Sequence, residues 1–187
     1  DAFHNCTNLA SITIPSSVRT IGDEAFSNCD ALTAIQLPGS LLSIGTSAFS
    51  ACDGLTSVTI PASVSSIGSY AFKYCSQLTS LTVDASNPNY SAADGVLFDK
   101  TKINLLQCLN ANSGSYSIPS SVTTIGDGAF SGCSNLTSII IPSSVKTIQY
   151  SAFSSCSGLT TIDIPSSVQS IWNYAFDYCQ NLNVITV

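Results

Sequence analysis

Hydrophobic residues recur along the chain with a fixed period, and an Ala-Phe pair marks each repeat. Successive pairs are 23 residues apart, except for one step of 58 residues. A fixed period of this length is typical of a solenoid, in which each repeat forms one coil stacked on its neighbours. We therefore predict a single solenoid over residues 1–187. The pairs are Ala2-Phe3, Ala25-Phe26, Ala48-Phe49, Ala71-Phe72, Ala129-Phe130, Ala152-Phe153 and Ala175-Phe176.

Each repeat contains an apolar pattern that predicts a short strand. With the repeat Phe as position zero, Leu lies at +6, aliphatic residues lie at +9 and +11, and Pro usually follows at +12, as in Leu136, Ile139, Ile141 and Pro142. Alternation of apolar and polar residues has the period of a strand. Proline lacks an N–H group and ends the strand. The repeats therefore predict a parallel sheet built from the +8 to +12 segments.

The rest of each repeat predicts a second buried wall and a tight turn. An aliphatic pair such as Val145 and Ile148 follows the proline and is expected to face the core. The Ala-Phe-x-x-Cys motif predicts a short helical or 3₁₀ turn, because residues i and i+3 of such a turn share a face. We assign a structural role to its buried Phe and Cys side chains, which are Phe26, Cys29, Phe49, Cys52, Phe72, Cys75, Phe130, Cys133, Phe153, Cys156, Phe176 and Cys179.

Seven of the eight cysteines lie three residues after a repeat Phe and form one file along the solenoid. Neighbouring thiols would be about 4.8 Å apart, as in adjacent strands. A disulfide needs Cβ atoms about 3.8 Å apart and turned toward each other. We therefore expect seven buried, reduced thiols, with Cys108 outside the file. No Cys-x-x-Cys pair is present and His4 is the only histidine, so we expect neither a metal site nor a cofactor.

Residues 84–117 break the period and predict an enlarged coil. Asn87-Pro88 and Asp94-Gly95 are turn signals. Residues 95–98 and 103–106 flank a polar four-residue loop and predict a β-hairpin that packs on the solenoid. The acidic residues here, which include Asp94 and Asp99, lack the ligand spacing of a calcium loop.

The pattern L-x-x-I-x-I-P-x-S-V-x-x-I-G-x-x-A-F-x-x-C resembles the BspA-like, treponemal-type leucine-rich repeat over essentially all 187 residues. The enlarged coil, with residues 87–90, 94–98 and 116–119, is similar to a variant coil of that family. The resemblance implies a right-handed, gently curved and mostly β solenoid with its parallel sheet on the concave side. It also implies a cell-surface or secreted protein of a bacterium or mucosal protozoan. Members are associated with adhesion to host matrix proteins such as fibronectin and fibrinogen, and the family has no catalytic motif.

Composition argues against several classes of function. Charged residues are 9% of the chain, the net charge is −6, and the five basic residues are scattered. Nucleic-acid binding and attachment to an anionic membrane both need clustered basic residues. No apolar run reaches the roughly 20 residues that span a bilayer. Nucleophile–base pairs are absent, and a carboxylate such as Asp163 has no partner. We therefore expect a protein that is not an enzyme.

The outward +8 and +10 positions of the strands offer a first candidate binding surface, which we call the sheet face. It is a ladder of mostly Ser and Thr, and it has two open interpretations: cross-strand stability or ligand binding, as solenoids use their sheets. A repeated Thr plane could also bind ice, but Gln36, Ile140 and Asp163 interrupt it. The candidate residues are Thr13, Gln36, Thr59, Thr82, Ile140 and Asp163.

A second candidate, which we call the aromatic edge, consists of Tyr150, Trp172, Tyr174 and Tyr178. If the Phe turn is helical, Tyr174 and Tyr178 share an outward face. Exposed Trp and Tyr are enriched in interface hot spots and also stack on sugar rings. The competing interpretation is that these residues pack over the next coil of a longer array.

Two functions remain open at this point. One is an extracellular adhesion module that binds a protein or glycan, including extracellular matrix proteins. The other is a structural spacer without a specific ligand. A surface that differs between coils favours the first, whereas identical coils favour the second. The chain starts within a coil and ends on a strand without polar caps, so we also expect a fragment of a longer array or end-to-end self-association.

Overall fold

The computed structural model describes all 187 residues and shows a solenoid of about seven turns with parallel strands one repeat apart, which confirms the predicted fold class. Every strand is short. The strands are β1 (Thr20–Ile21), β2 (Ser43–Ile44), β3 (Ser57–Ile60), β4 (Ser66–Ile67), β5 (Ser80–Val83), β6 (Tyr90–Ala93), β7 (Val96–Asp99), β8 (Asn104–Cys108), β9 (Gly114–Ser117), β10 (Thr124–Ile125), β11 (Leu136–Ile140), β12 (Thr147–Ile148), β13 (Thr161–Asp163), β14 (Ser170–Ile171) and β15 (Val184–Thr186).

The sheet face is split into two parallel ladders. Strands β3 and β5 form one ladder, and β9, β11, β13 and β15 form the other. Partners in register are equivalent repeat positions, such as Val58 opposite Leu81 and Ile162 opposite Ile185. The enlarged coil separates the ladders, and the first two coils add only an isolated bridge between Ala34 and Ser57. The predicted sheet is therefore present but interrupted.

A second set of parallel strands covers the opposite wall of the solenoid. The Ser-Ile and Thr-Ile dipeptides pair as β1-β2-β4 and as β10-β12-β14, for example with Ile125 opposite Ile148. The longer strand β8 of the enlarged coil pairs with β10 and extends the second set. The isoleucines point inward, and most of them are buried. The sequence pattern predicted that these isoleucines face the core, but it did not predict the second sheet.

The Phe motif forms a non-helical turn, so the prediction of a helical or 3₁₀ segment is wrong. The residues at −2 and +2 adopt left-handed conformations, with φ of 53° at Glu24 and 58° at Asn28 in the coil of Phe26. A left-handed residue does not continue a right-handed helix. Instead the Phe26 N–H group donates to the Ala48 carbonyl of the next coil at 2.8 Å. These turns therefore bond coil to coil.

The core is a column of stacked side chains that the enlarged coil divides. Repeat Phe rings of adjacent coils stack with centroids 5.1–5.4 Å apart. Strands β6, β7 and β8 are antiparallel and interrupt this column. Buried residues consequently form two clusters, and β7 contributes Leu97 to the first and Val96 and Phe98 to the second.

All eight cysteines are free thiols, and six of them are buried. The expectation of seven buried file thiols is wrong at two positions, because Cys6 is exposed and Cys179 half-buried in the two outermost coils. Each inner thiol of the file has a hydrogen-bond acceptor in the preceding coil. The Cys52 thiol, for example, donates to the Phe26 carbonyl at 3.0 Å, and that of Cys156 to the Phe130 carbonyl at the same distance.

Candidate interaction surfaces

The six residues proposed for the sheet face are all exposed. Coil-to-coil register brings their side chains together in pairs. The Thr59 and Thr82 hydroxyls lie 2.9 Å apart and form a hydrogen bond, and Ile140 stands opposite Asp163. The surface is therefore continuous within each ladder but differs in chemistry between the two.

The second ladder has an exposed apolar side chain at its centre. Ile140 is 57% exposed although its neighbours in register are Ser117 and Asp163. This aliphatic side chain loses its contact with water only when a partner covers it. Its burial would stabilise the complex through the hydrophobic effect. The arrangement resembles a small interface core with a polar rim.

The first coils open into two clefts on the sheet face. Each cleft has a volume of about 370 Å³, and both include Gln36 and Gly39 in their walls. Thr13 and Gln36 occupy equivalent positions in adjacent coils but make neither a backbone nor a side-chain hydrogen bond. Their polar groups are therefore free to bind water or a ligand. Nothing in the repeat pattern distinguishes these coils, and the sequence did not predict the clefts.

The aromatic edge is exposed and lies on two adjacent coils. The Tyr150 and Tyr174 rings meet edge to face with centroids 5.4 Å apart. Trp172 is 50% exposed and Tyr178 is 70% exposed. Tyr174 and Tyr178 are not a helical pair as the sequence suggested, because both are left-handed residues of the Phe turn, with φ of 59° and 54°. Their side chains nevertheless remain accessible.

An equivalent tyrosine pair in the coil of Phe72 packs one side of its rings against the protein, although Tyr74 remains 42% exposed. The Tyr70 ring lies on Gly128 and the Tyr74 ring on Gly132, so closely that a Cβ atom at either glycine would overlap the ring. The Lys73 ammonium lies between the rings, 4.9 Å and 4.4 Å from their centroids. Burial raises the pKa of the Tyr70 hydroxyl. This pair therefore bridges the enlarged coil.

Two buried carboxamides of the enlarged coil replace backbone carbonyls of a regular coil. The Phe72 N–H group donates to Gln107 Oε1 at 3.2 Å, and the Tyr74 N–H group donates to Asn110 Oδ1 at 2.6 Å. Asn110 Nδ2 also donates to the Ser131 carbonyl of the following coil at 3.1 Å. The repeat pattern did not reveal these residues. The available signal was two carboxamides flanking the unmatched Cys108.

The structure contains no cluster of three or more potential metal ligands. His4 Nδ1 lies 3.5 Å from a Glu24 carboxylate oxygen, and both are at the surface of the first coils. Two of the inner thiols are poor nucleophiles, because burial raises the pKa of Cys29 to about 11 and also raises that of Cys156. No helix is long and apolar enough to cross a membrane.

The family model described as BspA type leucine rich repeat region matches residues 1–110 and 101–187, with six copies. Among solved structures, a leucine-rich repeat protein from Eubacterium ventriosum is similar with a TM-score of 0.86 and 29% identity, over 98% of this chain and 55% of that one. A leucine rich cell surface protein from Faecalibacterium prausnitzii matches with a TM-score of 0.80 and 30% identity, over 100% of this chain and 55% of that one.

The pneumococcal vaccine antigen PcpA shares the fold, with a TM-score of 0.68 and 24% identity, over 90% of this chain and 54% of that one. The chain thus spans a little over half the length of the solved structures it matches. No curated protein sequence matches it significantly.

Proposed function

Because the chain belongs to the BspA-type leucine-rich repeat family, we propose that it is a non-enzymatic module at the cell surface or outside the cell that binds a protein partner. A relative with 30% identity is described as a cell surface protein, which supports this location. The repeat solenoid supports the mode of action, since its stacked coils present an extended surface to a partner. Adhesion to an extracellular matrix protein is the form of this function that we propose to test first.

The observation that carries the proposal is the non-uniform sheet face. A spacer needs only a soluble ladder of Ser and Thr, and Thr59 with Thr82 fit that need. Ile140 departs from that ladder, because its aliphatic side chain is 57% exposed between the polar residues Ser117 and Asp163. The carboxylate of Asp163 stands directly beside it. A protein partner can cover the isoleucine and donate a hydrogen bond to the carboxylate.

A binding screen against immobilised matrix proteins and glycans tests the proposal. The key variant is Gln36→Thr/Ile140→Thr/Asp163→Thr, which makes the ladder uniform while keeping β-forming residues at exposed positions. We expect it to fold normally and to bind the identified partner at least tenfold more weakly, a loss of about 1.4 kcal/mol. If it binds as the unmodified chain does, the sheet face is not the contact.

A second variant assigns the contact to one surface. Trp172→Ser/Tyr174→Ser/Tyr178→Ser removes three residues of the aromatic edge and leaves the sheet face intact. We expect it to keep its affinity for the partner. A tenfold loss here instead places the contact on the aromatic edge. If no matrix protein or glycan binds the unmodified chain, the structural spacer becomes the better function.

A further inference from the structure

The tyrosine pair of the aromatic edge occurs in only one other coil. Of the seven coils with a repeat Phe, only those of Phe72 and Phe176 have tyrosine at both −2 and +2. The four tyrosines share a left-handed backbone, with φ between 54° and 63°. The two coils therefore present the same pair of rings at the same backbone positions, and the inner pair shows what such a pair binds.

The inner pair is seated on an enlarged coil and on the glycine-bearing turn that follows it. Gly128 and Gly132 are the only residues at −2 and +2 without a side chain, and the absence of a Cβ atom lets Tyr70 and Tyr74 lie against their backbone. The Phe72 N–H group, between the two tyrosines, donates to the carboxamide oxygen of Gln107 in the enlarged coil. A regular coil offers neither the glycines nor the carboxamide.

A third feature concerns Trp172. It lies at −4 in the same coil as Tyr174 and Tyr178 and is 50% exposed. A partner that covers the two tyrosines would also remove water from this neighbouring indole. Trp172 therefore reports whether the aromatic edge is covered.

We propose that the aromatic edge is a docking surface for an enlarged coil of this same repeat type, followed by a turn with glycine at −2 and +2. In this arrangement Tyr174 and Tyr178 lie on the two glycines, and the partner also covers Trp172. The surface continues the interface between stacked coils, since β14 and β15 extend the ladders on both walls up to this coil. The proposal is independent of the sheet face and of its partner.

A tandem chain tests this directly. Val83 and Val187 occupy the same repeat position, so a second copy of residues 84–187 can follow Val187 in register and supply an enlarged coil. Trp172→Gln in the second copy, as in Gln149, leaves the first Trp172 as the only indole. A comparison chain has residues 142–187 appended instead, with the same substitution, and supplies two regular coils. Both are measured by fluorescence against the 187-residue chain.

We expect Trp172 emission to shift to shorter wavelength, and acrylamide quenching to fall severalfold, in the tandem with the enlarged coil. The comparison chain should show a much smaller change. Equal protection in both chains means that any coil covers the edge, and no protection in the first means that an enlarged coil does not fit; either result overturns the proposal. Concentration-dependent protection in the 187-residue chain also overturns it, because the occupant is then a second copy.

A measurement on the 187-residue chain keeps the proposal testable if the tandem does not fold. Tyr70→Ser/Tyr74→Ser should lower the melting temperature clearly more than Tyr174→Ser/Tyr178→Ser does, because the first pair is packed on the Gly128 and Gly132 turn. Equal effects on the melting temperature would show that the packing of Tyr70 and Tyr74 does not stabilise the protein. The inner pair would then no longer support a docking role for the outer pair, and the proposal would be overturned. Loss of partner binding by the Ile140 variant tests the sheet face alone and has no bearing on this result.

Discussion

The regular coils and the enlarged coil satisfy the same backbone groups with different chemistry. In a regular coil, N–H groups of the Phe turn donate to main-chain carbonyls of the next coil, as Phe49 does to Ala71 at 2.8 Å. At the enlarged coil, the equivalent N–H group of Phe72 donates to the side chain of Gln107. The stack of Phe rings also stops here, and tyrosine rings cross the gap instead.

This difference shows that the period of a solenoid and its continuity are separable. Regular coils need only matched register, because in every coil the same main-chain carbonyl lies opposite the N–H group of its neighbour. The enlarged coil loses that register over residues 84–117 and restores it with buried carboxamides. Each carboxamide supplies an acceptor and a donor group, so one residue, Asn110, bonds to the coils on both sides.

Alkaline pH is expected to have the largest effect, and in the regular coils it acts through buried thiols. Burial raises the pKa of Cys29 from its ordinary value of 9.0 to about 11, and it raises that of Cys156 in the same direction. Neutral thiols therefore stabilise the fold fully below pH 9, and this contribution is lost as pH rises toward 11. Denaturant midpoints measured across this range should fall steeply. Cys29→Ala should reduce the slope, and an unchanged slope would contradict the assignment.

Substitution of Asn110 is expected to give the next largest effect, at the enlarged coil. Asn110→Leu keeps the approximate volume but leaves the Tyr74 N–H group and the Ser131 carbonyl without partners. We expect a loss of stability on the order of 3 kcal/mol, since each unsatisfied buried group costs about 1–3 kcal/mol. Chemical denaturation measures this. Asn173→Leu, at an exposed position, is the control, and similar stabilities for the two variants would show that the carboxamide bridge contributes little.

A smaller effect is expected for one thiol of a regular coil. Cys52→Ala removes the hydrogen bond to the Phe26 carbonyl and leaves a small cavity, at a cost of about 1.5 kcal/mol. Cys52→Ser retains a donor and should recover part of this loss. If the alanine and serine variants are equally stable, the file cysteines act through packing alone.

The smallest effect is expected on the sheet face. Thr59→Val removes the exposed hydrogen bond to Thr82 and keeps a β-branched side chain. Thermal denaturation should show a change of less than about 0.5 kcal/mol, because surface substitutions away from special features usually have small effects. A large loss would mean that the hydroxyl ladder stabilises the solenoid, which would favour its structural interpretation over binding.

The sequence correctly predicted the features that follow from the 23-residue period. It did not predict features that depend on local backbone conformation or on individual side-chain contacts. The aliphatic residues of the strands and the file of Phe rings follow from the 23-residue step. The Phe turn was misjudged because an i, i+3 spacing fits several kinds of turn. Only the left-handed conformations at residues such as Glu24 and Asn28 distinguish this one, and these are not glycines.

The interaction surfaces were predicted as sets of residues but not as arrangements. Exposure of Ile140 and Tyr178 follows from their repeat positions. The clefts beside Gln36 depend on how far two coils separate, which no residue type encodes. Likewise the roles of Gln107 and Asn110 depend on the height at which the enlarged coil places them. The sequence offered one signal for them, since both carboxamides flank the unmatched Cys108, but it did not show which groups they bond.

The division of the core at β7 has a consequence for how the protein folds. Leu97 belongs to one cluster, and Val96 and Phe98 belong to the other, so a single strand serves as the shared wall of both. In a linear array of this kind, folding can start in either half and spread between nearest neighbours. The half that folds first then orders strand β7, and β7 provides a packed surface on which the other half folds. Hydrogen exchange should report two cooperative units that meet there, with neighbouring amides on β7 following different halves.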